Sequence, residues 1–106
     1  MKKYISKYNV NHTYWITTAL INDYEITKEE FKKILDKNNI DIRPIFYPLS
    51  AMPPFENYVQ KNMNEVNPVT YELSKYGVCL PNGNNLDDDD VEYVCHYFKK
   101  ALGINS

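Results

Sequence analysis

Residues 27–47 read TKEEFKKILDKNNIDIRPIFY, and this stretch sets the fold class because it passes from a helical period to an extended one. Thr27 and Glu30 stand at capping-box spacing: the Thr27 hydroxyl can accept from the Glu30 amide while the Glu30 carboxylate reaches back to the Thr27 amide. Phe31, Ile34 and Leu35 follow at i, i+3 and i+4, which predicts one apolar stripe on a helix of about three turns. Asn38-Asn39 supplies the stop. Residues 40–47 predict a strand in which Pro44, lacking an amide hydrogen, belongs at a sheet edge or strand end.

Working outward, residues 14–21 (YWITTALI) are β-branched and aromatic on both alternating faces, as in a strand covered on both sides. Residues 47–55 form a proline-punctuated apolar loop that should pack under something. Asn67-Pro68 opens a further helix, with Asn as N-cap and Pro at the first position. Val69, Leu73 and Tyr76 are its expected inner face, and Gly77 ends it. Residues 78–80 predict a short third strand, stopped by 81–85 (PNGNN). Val91, Val94, Cys95, Phe98 and Leu102 then recur at helical spacing until Gly103. The order predicts a two-layer α/β (α+β) sandwich, a small sheet flanked by helices. Residues 1–11 read as a lead-in or linker and 12–106 as the folded domain.

At 106 residues the chain has room for one modest core. A net charge of −2 with scattered lysines argues against nucleic acid as partner. No apolar run reaches membrane-span length. Cys79 and Cys95 sit among apolar neighbours and form no CxxC pair, so buried, reduced thiols in a cytoplasmic protein are expected. Ten tyrosines suit half-buried walls and interfaces, so the chain is expected to expose surface meant to be covered, with self-association as the consequence.

For chemistry, the acidic run 87–90 directly precedes a helical pattern. Dipole compensation and capping explain it better than calcium, which wants alternating ligands, a Gly turn and a distal Glu. No metal ligand is assigned. His12 has no nearby nucleophile. His96 adjoins Cys95, but neighbouring helical residues point about 100° apart, so it reads as a surface side chain. Three glycines leave no material for a phosphate cradle. The segment 43–50 (RPIFYPLS) differs: Arg43 among apolar strand residues needs an anionic partner. A buried pair with Asp41, two extended residues away on the same strand face, is the plain alternative to a ligand.

Five segments in order resemble one family. They are His12-Thr13-Tyr14-Trp15; residues 40–49 with Met52-Pro53 and Phe55; Asn67-Pro68-Val69 with Glu72-Leu73; Gly77-Val78-Cys79-Leu80-Pro81; and Val91 with Tyr93-Val94-Cys95. Together they resemble the C-terminal small domain of the DegT/DnrJ-type sugar aminotransferases, fold-type I enzymes that use pyridoxal phosphate. The HTYW, RPxFYP and MP segments look most like those of GDP-perosamine synthases. The resemblance implies glutamate-dependent amination of a nucleotide-linked 4-keto-6-deoxy sugar, on the route to O-antigen, by a homodimeric full-length enzyme. It also implies that the Schiff-base lysine, the pyridinium partner and the phosphate-holding groups lie in a large N-terminal domain. No lysine here stands in the family's "SF-x-x-K" context, so no cofactor and no transamination are expected of this chain alone. Arg43, Tyr47 and Ser50 are the expected substrate-side residues. Many members carry His where Ser50 stands, and Asn82 replaces the serine usual after Leu-Pro. A stand-alone interaction module that kept the fold is the other reading; a small metal enzyme has only the aspartate run behind it.

Overall fold

The computed structural model describes residues 9, 11 and 13–104. His12 and most of the lead-in lie outside them. Three strands and four α-helices follow one another: β1 (Thr17–Leu20), α1 (Lys28–Asp36), β2 (Arg43–Pro44), α2 (Met63–Val66), α3 (Pro68–Tyr76), β3 (Gly77–Leu80) and α4 (Asp88–Ala101). Two 3-10 turns, Leu49–Ala51 and Pro53–Tyr58, lie between β2 and α2. The sheet order is β1-β3-β2, and both pairings are antiparallel. The expected two-layer α+β architecture is present.

The capping box forms as read: Glu30 N–H donates to Thr27 Oγ1 at 3.2 Å and Thr27 N–H to Glu30 Oε2 at 3.1 Å. A second box starts α4, where Asp87 and Asp90 exchange the same bonds at 2.9 and 3.1 Å. The acidic run is therefore a cap, worth about 1 kcal/mol. At the far end of α4, Ile104 N–H reaches Lys99 O and Gly103 N–H reaches Lys100 O, with Gly103 at φ +75°. This Schellman closure requires a residue that accepts the left-handed region.

Phe31 and Leu35 of α1 are fully buried with Ile21, Ile40, Ile42 and Val78. Phe98 of α4 meets Phe31 edge to face at 5.1 Å between centroids, so α1 and α4 cover one face of the sheet. Val94, Tyr97, Phe98, Ala101 and Leu102 form the α4 side of that core.

Several expectations are corrected. The first strand begins at Thr17 rather than residue 14, because Tyr14 at φ +52° breaks the extended run. It is covered on one side only: Thr17, Thr18 and Leu20 are exposed. The second strand shrinks to Arg43–Pro44; Pro44 offers no amide hydrogen and sits, as expected, on an edge strand. The inner face of α3 is not Val69 and Leu73, which are exposed, but Tyr71 and Ser74 one turn apart, Tyr76 being half-buried. Asn67 caps by position without a side-chain bond. Gly77 ends α3 with an extended φ of −82°. It is needed for space, since a Cβ there would lie 2.6 Å from Leu73 O and 2.8 Å from Ile45 Cγ2. Ile34, Val91 and Cys95 face solvent at the margins of their stripes, and Cys79 is half-buried. Both thiols are free. Among the described residues no helix is long and apolar enough to cross a membrane.

Candidate functional site

Arg43, on the edge strand β2, and Tyr47, three residues beyond its end, line different concavities. Arg43 pairs with Asp41 at 2.9 Å, as the plain reading foresaw, but on the surface rather than buried: the side chains are 77% and 63% exposed. Alternation puts both on the open face of the sheet, opposite the helices. There Trp15, Phe46, Cys79, Leu80 and Asn82 complete a shallow concavity of about 460 Å³ around Arg43. An exposed ion pair of this kind contributes little to stability. The guanidinium, with Asp41 on one edge, keeps its remaining N–H groups for an incoming anion. The partner that Arg43 needed is thus a surface carboxylate, which restrains the side chain without burying it.

Tyr47 lines a second cleft of about 510 Å³ with Lys28, Pro48, Ala51, Tyr71 and Ser74. The Lys28 ammonium donates to Ser74 O at 2.7 Å and lies 5.9 Å from the Tyr47 ring centroid, a distance at which the ring face attracts the cation. Ser50 stands in the first 3-10 turn, where its hydroxyl meets the Tyr71 hydroxyl at 2.9 Å. Tyr47 and Ser50 therefore belong together through Tyr71, and Arg43 stands apart from them. Sequence reasoning missed Lys28 and Tyr71. Lys28 had a signal: as the first residue after a cap, its side chain leans back past the helix start, towards whatever packs there. Tyr71 and Ser74 are polar residues one turn apart, and only the placement of α3 shows that they point inward.

The apolar loop 47–55 expected to be packed away is packed only in part: Pro48 is buried, whereas Tyr47, Leu49 and Phe55 are exposed. Beside it Phe46, Tyr58 and Trp15 are 72%, 85% and 75% exposed. The Cys79 thiol lies 3.8 Å from Pro44 O, and partial burial pushes it above the usual thiol range; it is no activated thiolate. His96 is exposed and edge-on to Tyr97, as a surface histidine. The described lysines bear on whether pyridoxal phosphate fits here. A lysine that condenses with a carbonyl must be desolvated, whereas Lys33, Lys37, Lys61, Lys75, Lys99 and Lys100 are exposed, Lys32 is paired with Asp36 and Lys28 is engaged with Ser74. None of these lysines has the setting of a Schiff-base lysine.

The model of the DegT/DnrJ/EryC1/StrS aminotransferase family matches residues 2–99. GDP-perosamine synthase of Vibrio cholerae is 30% identical over 89 residues, which cover 83% of this chain and 23% of that protein. GDP-perosamine synthase of Escherichia coli O157:H7 is 33% identical over 87 residues, 82% of this chain and 22% of that protein. The dTDP-4-amino-4,6-dideoxy-D-glucose transaminase of Escherichia coli is 30% identical over 97 residues, 90% of this chain and 25% of that protein. A solved structure described as a sugar aminotransferase of Streptococcus pneumoniae in the PMP form superposes with a TM-score of 0.70 at 20% identity, covering 83% of this chain and 22% of that one. The chain thus spans between a fifth and a quarter of the length of the relatives it matches.

Proposed function

The chain belongs to the DegT/DnrJ/EryC1/StrS aminotransferase family, and from that premise we propose that it is the C-terminal small domain, from about residue 12 on, of a nucleotide-sugar aminotransferase. One observation carries the reading: the family match runs over residues 2–99, while the aligned residues make up only 22–25% of the curated relatives. The proposed parent reaction is glutamate-dependent amination of a 4-keto-6-deoxy sugar on GDP or a similar nucleotide, in the cytoplasm and for O-antigen or polysaccharide synthesis. Pyridoxal phosphate would supply the amino-group chemistry, held by a large N-terminal domain. None of the chain's described lysines has the desolvated setting that role requires.

The chain's own part is orientation of the substrate, a task in which about an ångström of misplacement can cost a hundredfold in rate. Arg43 offers N–H groups to an anionic part of the substrate. Tyr47 and the Ser50–Tyr71 hydroxyl pair form a second contact wall. Ser50 stands where many relatives carry His, so a proton-holding role at that position is not carried over. The exposed Trp15, Phe46, Leu49 and Tyr58 suit surfaces covered by the large domain or by a second subunit.

The test is a chimera in which residues 12–104 replace the matching segment of the Vibrio cholerae GDP-perosamine synthase. Amination above that of the enzyme lacking its small domain is expected. A folded, cofactor-loaded chimera no better than the deletion overturns the assignment and leaves the stand-alone interaction module in its place.

A further inference from the structure

Asn82 follows β3, and its carboxamide reaches back 67 and 68 positions to the segment that leads into β1. Its Nδ2 donates to Trp15 O at 2.6 Å and also to Tyr14 O. A primary amide is suited to this because one nitrogen carries two N–H donors; a serine hydroxyl has one. The donor is anchored in turn: Leu86 N–H donates to Gly83 O at 3.3 Å, closing the turn that follows it. At the receiving end Tyr14 holds φ +52°, a left-handed conformation that bulky side chains rarely adopt and that persists only where the surroundings impose it. Immediately after it stands Trp15, which forms part of the wall around Arg43.

We propose that Asn82 is a positioning residue: its carboxamide clamps the Tyr14–Trp15 backbone to the end of β3, holds Tyr14 in the left-handed region, and so sets Trp15 as a wall of the Arg43 concavity. The clamp joins the segment that leads into β1 to the loop after the central strand. A surface that meets Arg43 therefore meets an indole carried on a held backbone rather than on a freely moving one. The clamp is independent of what Arg43 binds.

Trp15 is the sole tryptophan of the chain, so its fluorescence anisotropy, excited at the red edge where tyrosine does not absorb, reports on the clamp directly. Asn82→Asp keeps the size of the side chain and removes both donors; Asn82→Ser keeps one donor on a shorter arm. Loss of Trp15 anisotropy is expected in both variants, larger for N82D, while the far-UV spectrum stays that of the parent. Tyr14→Gly in the parent chain removes the conformational conflict and is expected to raise the melting midpoint. Unchanged anisotropy in both folded Asn82 variants overturns the proposal. A measurement on the unmodified chain guards against variants that do not fold: nuclear Overhauser contacts from the Asn82 side-chain amide protons to the Tyr14 and Trp15 α-protons are expected, and their absence overturns the clamp equally.

Discussion

The hydroxyl of Ser50 meets that of Tyr71 at 2.9 Å, joining the 3-10 turn after β2 to the inner face of α3. The contact links the two walls of the Tyr47 cleft and spans 21 positions of sequence. Because it is half-buried, either partner left alone loses part of its hydration without recompense. Ser50→Ala and Tyr71→Phe should each destabilise the domain by about 1 kcal/mol. The double variant should cost less than the sum, a coupling that urea denaturation of the four proteins measures.

Arg43 should behave in the opposite way. Its pair with Asp41 is exposed, so Arg43→Ala should change stability by no more than about 0.5 kcal/mol. In the chimera described above the same substitution should raise KM for the nucleotide sugar, with a smaller effect on kcat. A melting midpoint that drops sharply, with KM unchanged, would show a structural role and remove Arg43 from the substrate side.

Gly77→Ala places a methyl 2.6 Å from Leu73 O and 2.8 Å from Ile45 Cγ2. The first neighbour is backbone and cannot turn aside, so α3 and β3 must shift. Overpacking of this kind costs about 1–3 kcal/mol, read as a lower denaturation midpoint with little change in slope.

The two thiols should react differently. Burial raises the Cys79 thiol above its ordinary range, so the folded state favours its neutral form. The sign follows: stability is undiminished below the unfolded-state value and is lost as pH rises through the folded-state one. Thermal melts should therefore fall across the alkaline thiol range, less so for Cys79→Ala. Exposed Cys95 should be alkylated first by iodoacetamide at neutral pH.

The isolated chain should also associate. Trp15, Phe46, Leu49 and Tyr58 are each more than 60% exposed, more large apolar side chain than a lone domain ordinarily presents to water. Concentration-dependent sedimentation or binding of a hydrophobic dye is expected; a dye-silent monomer at high concentration would refute it.

Local rules carried much of the reading. The Thr27 capping box, the acidic cap of α4, the Phe31/Leu35 stripe, the edge position of Pro44 and the Gly103 stop follow from interactions within a few residues, which the sequence spells out directly. The ordered motifs also gave the family. Among the candidate residues, the Asp41–Arg43 pairing was legible because two extended residues share a face, but its exposure was not. Burial depends on what other elements arrive. Leu73 and Val91 looked like inner-face residues and proved exposed, while Ser74 proved buried.

The sequence by itself determined the order of the three strands and the three longer helices, most of the caps, and the family, but not the short α2 or the two 3-10 turns before it. Only the tertiary structure decided which face of the sheet is covered, that Tyr47 and Ser50 share a cleft with Tyr71 while Arg43 stands in another, and that Asn82 reaches back to Tyr14 and Trp15. The physical reason is range. Caps and stripes are satisfied within one or two turns, whereas these contacts join residues 21 to 68 positions apart, and no local pattern encodes which distant donor will meet which acceptor.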